Sequence, residues 1–82
     1  MILKVNVKTY AILRKYAPQD VSLGDSFPLK IEGHTIKDVI RVLGIPNDEN
    51  IVILVNGNRI NNLDENLFED DLVVFFPRLG GG

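Results

Sequence analysis

An α+β fold, one mixed five-stranded sheet with a main helix on one face and a short helix after the first strand, is predicted by three features of this 82-residue sequence. From Leu3 to Lys8 apolar and polar residues alternate, the period of a strand with one face buried and one face wet. Ile36, Val39, Ile40 and Leu43 fall at i, i+3, i+4 and i+7, the stripe of an amphipathic helix. Two later apolar runs, Ile51 to Val55 and Leu72 to Phe76, read as strands, and Asn56-Gly57 behind the first of them is the strongest short-range hairpin signal.

Taken in order, the first strand turns Leu3, Val5 and Val7 inward and leaves Lys4, Asn6 and Lys8 in water, so the sheet has an open side. Tyr10 to Ala17 reads as a short helix that ends near Pro18, because a residue preceding proline is pushed out of the helical region. Between Val21 and Ile31 a strand interrupted by Gly24, Asp25 and Pro28 is expected. The main helix has both ends marked. Thr35 with Asp38 three residues on approximates a capping box and sets a negative charge near the positive helix end. Gly44 suits the left-handed C-terminus, and Pro46 prevents continuation. After the hairpin, Arg59-Ile60 is the return strand, Asn61 to Asp71 is a polar stretch, and Leu72 to Phe76 closes the domain. This order lets the helix cross the sheet and the last strand lie beside the first in the middle, which is the ubiquitin-like β-grasp architecture. It divides the chain into a folded domain over 1–77 and a tail over 78–82.

Composition removes several function classes. A net charge of -2 with no basic run argues against nucleic acid as the main partner. Without cysteine there is no disulfide, thiolate metal site or cysteine nucleophile. No apolar stretch approaches a membrane span, and Met1 to Lys4 lacks the layout of a signal peptide, so a cytoplasmic location and no membrane partner are expected. His34, the lone histidine, sits before a helix cap and reads as a solvated or capping residue. The acidic cluster Asp64, Glu65, Glu69, Asp70 and Asp71 lacks the ligand spacing of a calcium loop and reads as a solvated turn. No metal and no cofactor are expected.

The tail Pro77-Arg78-Leu79-Gly80-Gly81-Gly82 stands directly behind an apolar strand. Glycine has no Cβ, so such a run fits a channel too narrow for other residues. The five residues after Pro77 reach roughly 16 Å when extended, far enough to carry a carboxylate into another protein's active site. Both faces of the last strand and of Ile51 to Val55 are apolar although the sheet has an open side, so part of this surface is left for a partner. Packing Ile53, Val55, Val73 and Phe75 against the helix leaves Leu54, Val74 and Phe76 outside, with Tyr10 beside them and Arg59 and Arg78 as rim charges.

Three stretches together resemble the small sulfur-carrier subunit of molybdopterin synthase and its relative, the thiamine-pathway sulfur carrier. Tyr10 to Lys15 is similar to that family's aromatic-Ala-x-Leu-Arg-Glu segment, Leu54 to Gly57 to its Val-Asn-Gly hairpin, and Leu67 to Val73 with Phe75-Phe76-Pro77 to its Leu-x-Asp-Gly-Asp-x-Val stretch and Phe-Pro-Pro exit to Gly-Gly. The short helix after the first strand favours the molybdopterin branch. Asp70 stands where the family has glycine, Arg78 where it has a second proline, and Gly80 makes a triple glycine.

The resemblance implies a carrier, not an enzyme. A ubiquitin-activating-type adenylyltransferase adenylates Gly82, a persulfide protein supplies sulfur to leave a thiocarboxylate, and the large subunit of molybdopterin synthase receives it. Gly81, Gly80 and Leu79 then lie in the partner's channel, and the phenylalanine before the proline lies at the interface. A ubiquitin-like modifier joined to proteins through Gly82, a sulfur carrier for thiamine or another pathway, and a plain interaction module remain open as alternatives.

Overall fold

A computed structural model describes residues 2–22, 24–46 and 51–78 of the chain. The elements run β1 (Ile2–Thr9), a 3-10 helix (Ala11–Tyr16), β2 (Phe27–Glu32), α1 (Ile36–Leu43), β3 (Ile51–Val55), β4 (Asn58–Ile60) and β5 (Leu72–Pro77). They form one sheet in the order β2-β1-β5-β3-β4, with β5 parallel to β1 and the other pairs antiparallel. The first and last strands are therefore neighbours at the centre, and the expected β-grasp arrangement is the observed one.

Alternation in β1 decides which side carries the core. Leu3, Val5, Val7 and Thr9 are buried and the residues between them are only partly covered. Phe27 and Ile31 of β2, Ile53 of β3, and Val73 and Phe75 of β5 join them on the same side, where Ile36, Val39 and Ile40 of α1 close the core. Leu13 and Leu67 seal it from the 3-10 helix and from the long connection before β5. The core is thus a single layer of aliphatic side chains and two phenylalanines between helix and sheet, and no element among the described residues covers the opposite side of the sheet.

The helix is specified at both ends. Thr35 Oγ1 accepts from Asp38 N at 3.3 Å, and Asp38 Oδ2 accepts from Thr35 N at 3.1 Å, completing the capping box. The two earliest helical N–H groups are met from the connection before β5: Ile36 N donates to Glu65 O and Lys37 N to Leu63 O. Gly44 takes the left-handed conformation at φ 81° and ends the helix.

Some expectations need correction. The strand expected within Val21 to Ile31 covers only Phe27–Glu32, because Gly24 sits at φ 84° and Val21 N and Asp25 N close local turns onto Pro18 O and Ser22 O. The short helix is a 3-10 helix between extended Tyr10 and Ala17. Six residues leave little room for i→i+4 bonding, and the tighter winding suits a short connector. Strand β1 extends by one residue at each end beyond its predicted limits, and β4 and β5 each by one residue at one end.

Candidate functional site

The open face is assembled by register. Val52 pairs with Phe76 and Leu54 with Val74 between β3 and β5, while the intervening pairs Ile53–Phe75 and Val55–Val73 point toward the helix. Because side chains alternate, these pairings put Val52, Leu54, Val74 and Phe76 on the uncovered side. Arg59 joins them opposite Leu54, and Lys8 opposite Val74. Tyr10 follows β1 and lies flat on Phe76, with ring centroids 4.7 Å apart and planes 6° from parallel. Its backbone N–H donates to Phe75 O at 3.1 Å, which fixes the start of the 3-10 helix beside the end of β5.

Tyr10, Val52, Leu54 and Phe76 are half-buried. Val74 differs from the expectation. It faces the open side but is only 8% accessible, because it sits between Lys8 and Leu54 across the sheet and between Leu72 and Phe76 along its strand. It is the floor of the patch, and the larger side chains around it form the accessible surface. Arg59 and Arg78 are exposed and line one cleft of about 230 Å³ together with Ile40, Ile51 and Ile60. Leu79, Gly80, Gly81 and Gly82, the tail residues named from sequence, lie outside the described residues.

What pins the register is a set of polar contacts between the hairpin and the turn before β5. Asn56 (φ 51°) and Gly57 (φ 86°) form the tight turn from β3 to β4. The Asn56 side chain donates to Asp71 Oδ1 at 2.9 Å and accepts from Leu72 N at 2.9 Å. Asp71 Oδ2 accepts from Phe68 N at 2.9 Å. Asp70 adopts φ 69°, a left-handed turn position, and its carboxylate holds Lys4 Nζ at 2.6 Å. That hydrogen bond, together with the charge of Asp70, holds the Lys4 ammonium above its ordinary pKa. The acidic cluster is thus occupied in part with local structure. Among the described residues no group of three or more His, Asp or Glu is placed to hold a metal ion.

His34 shares in the helix cap. Its N–H donates to Asp38 Oδ2 at 3.1 Å, and its ring Nδ1 is 2.9 Å from Asn66 Oδ1. The Asp38 carboxyl is held below its ordinary value of 3.8, first by the hydrogen bond from the Thr35 hydroxyl, then by the Thr35 and His34 N–H groups and the charge of Arg41. No described helix is long and apolar enough to cross a membrane.

Sequence reasoning did not single out Val52 or Lys8. Val52 has the same parity as Leu54, and that signal was sufficient to find it. Lys8 required the parallel register of β1 on β5, which joins segments more than sixty residues apart.

The comparisons agree with this fold. The sequence profile of the ThiS family matches residues 10–82. No curated protein sequence matches. Among solved structures, the small archaeal modifier protein 1 (SAMP1) of Methanosarcina acetivorans is similar with a TM-score of 0.73 and 26% identity, over 100% of this chain and 99% of that one. A putative molybdopterin converting factor subunit 1 of Pyrococcus furiosus has a TM-score of 0.69 and 27% identity, over 92% and 97% of the two chains. The complex of subunits 1 and 2 of the molybdopterin-converting factor of Helicobacter pylori 26695 shares the fold, with a TM-score of 0.64 at 18% identity over 98% of this chain and 100% of that one.

Proposed function

We propose, from the premise that the chain belongs to the ThiS family of ubiquitin-like, β-grasp sulfur carriers, that it carries sulfur as a thiocarboxylate on Gly82 and delivers it as the small subunit of molybdopterin synthase. The observation that carries this reading is the adjacency of patch and tail. β5 supplies Phe76 and Val74 to the open apolar face and leads within two residues to Arg78, the last described residue before the glycines. A body docked through Tyr10, Leu54 and Phe76 directs residues 79–82 into the same partner.

The chemistry needs no base, metal or nucleophile from this chain. A carboxylate is a poor electrophile, so a ubiquitin-activating-type adenylyltransferase joins Gly82 to AMP with loss of pyrophosphate. The terminal sulfur of a persulfide protein then attacks the acyl carbon and AMP leaves. A thiolate then attacks the donor-cysteine sulfur of the resulting acyl disulfide, forming a disulfide with that cysteine and releasing the thiocarboxylate, with sulfur where AMP took one oxygen. The large synthase subunit accepts the loaded tail, and the Helicobacter pylori complex of subunits 1 and 2 supports a partner of that kind. The molybdopterin pathway is favoured over the thiamine one by the 3-10 helix at Ala11–Tyr16 and by the likeness to the Pyrococcus furiosus subunit.

The test is a mass measurement. Incubated with its activating enzyme, ATP and a persulfide donor, the chain should gain the mass difference between sulfur and oxygen, and a chain lacking Gly82 should gain nothing. An unchanged mass in the complete mixture would remove the reading. A second reading, conjugation to other proteins through Gly82, is favoured by the full-length likeness to SAMP1. It predicts branched peptides in which Gly82 is joined to a lysine, whereas a carrier alone leaves none.

A further inference from the structure

Lys8, Val74, Leu54 and Arg59 are successive register partners across β1, β5, β3 and β4. They form one row over four strands, with a cation at each end and two aliphatic side chains between. With neighbouring strands about 4.8 Å apart, the two end Cα atoms stand roughly 14 Å from each other. The adjacent row toward the tail, Tyr10, Phe76 and Val52, carries no charge.

The two cations stand apart from others in the molecule. Lys4 is paired with Asp70, Lys37 with Asp64 and Arg41 with Asp38, and Arg14 donates to Val21 O. The side chains of Lys8 and Arg59, like those of Lys30 and Arg78, make no ion pair or hydrogen bond with a described residue. Of the acidic residues near this face, Glu32, Glu69 and Asp70 belong to its far end, beside Ile2 and Lys4, and the Asp71 carboxylate is engaged by the Asn56 side chain and Phe68 N. In a chain with more acidic than basic residues, the surface around the apolar patch is left positive.

We propose that this row is a two-point clamp for a protein partner that presents an apolar contact between two carboxylate side chains, one placed for Lys8 and one for Arg59. The proposal rests on the reading that the open face docks a partner, and it adds the partner's chemistry. An apolar contact alone leaves rotation about the sheet normal poorly fixed. Two charges at opposite ends of a row fix it, and thereby fix the direction in which β5 aims the tail. The two ends are chemically unequal: Lys8 offers a point charge and Arg59 a planar fork suited to bidentate carboxylate binding. Such charges act mainly on orientation and association rate.

The experiment titrates the large synthase subunit of the same organism against the intact chain and against Lys8→Glu, Arg59→Glu, the double variant, Leu54→Ala and Lys37→Glu. Lys37 lies on α1, on the opposite side of the sheet, and controls for net charge. Each reversal on the row should weaken binding about tenfold, chiefly through a slower association rate, and raising salt from about 50 to about 500 mM should erase most of the difference. Lys37→Glu should change affinity less than about twofold by the same screening argument. Replacing a partner carboxylate by lysine should restore binding to the matching glutamate variant. A double variant that binds as tightly as the native chain while Leu54→Ala binds poorly would overturn the clamp and leave the docking face in place. Native chain that fails to bind would remove both. Self-association of the native chain that the double variant abolishes would assign the row to a second copy and likewise overturn the proposal.

Discussion

Phe75 and Phe76 are consecutive residues of one strand and serve opposite faces of the sheet. Phe75 is fully buried among Ile53, Val73 and the residues of α1, whereas Phe76 is half-buried and meets Tyr10 in a flat stack on the side that no described element covers. The same side-chain type therefore supports folding at one position and is kept available at the next. The comparison teaches that apolar content alone does not distinguish core from open face here. Strand parity does, and parity is meaningful only because the register is pinned.

The largest expected effect lies on the inner side. Phe75→Ala should cost about 3–5 kcal/mol in chemical denaturation, the usual range for deleting a buried aromatic side chain. Phe76→Ala should be the mirror image. Its stability loss should stay near the worth of an aromatic stack, about 0.5–1.5 kcal/mol, while affinity for the large subunit falls by about 2 kcal/mol or more, as for a central interface aromatic. If calorimetry found the two variants equally destabilised and equally impaired in binding, the division of the faces would be lost.

Asp71→Ala addresses what keeps the faces from exchanging. Its carboxylate joins the Asn56 side chain to the turn at Phe68, so its removal should cost about 1–2 kcal/mol and raise hydrogen exchange at Leu72 N and Asn56 N. The smallest effect should come from Asp38→Asn, at about 1 kcal/mol for a weakened helix cap. Since the folded carboxyl titrates below its ordinary value of 3.8, Asp38 adds stability above that value and loses it as pH falls through the lower folded value. Acid unfolding curves should therefore flatten in the variant below 3.8, with binding at neutral pH unchanged.

Much of this was legible because several signals were local. Thr35 with Asp38 and Gly44 marked the helix ends, Asn56-Gly57 marked the turn, and the alternation of Leu3, Val5 and Val7 announced a one-sided sheet. The assignment of Ile53, Val73 and Phe75 to the helix side followed from the same parity. Less was legible where a residue's setting depends on distant pairings. Val74 reads as exposed from its own strand but is enclosed by Lys8 and Leu54 on its flanks, and Lys8, set on the wet side by its own alternation, comes beside Val74 only through the β1–β5 pairing. The segment before Phe27 contains apolar residues, yet local turns stop it from extending, which composition does not reveal.

The parallel pairing of β1 with β5 has a bearing on biosynthesis. The strand completed last sits between the strand made first and the β3–β4 hairpin, so the sheet stays in two halves until translation has passed Pro77. Such pairing of chain ends is the slow, non-local kind of folding step. A nascent or prematurely terminated polypeptide consequently displays no assembled open face, and the row that joins β1, β5 and β3 exists only once β5 has been inserted.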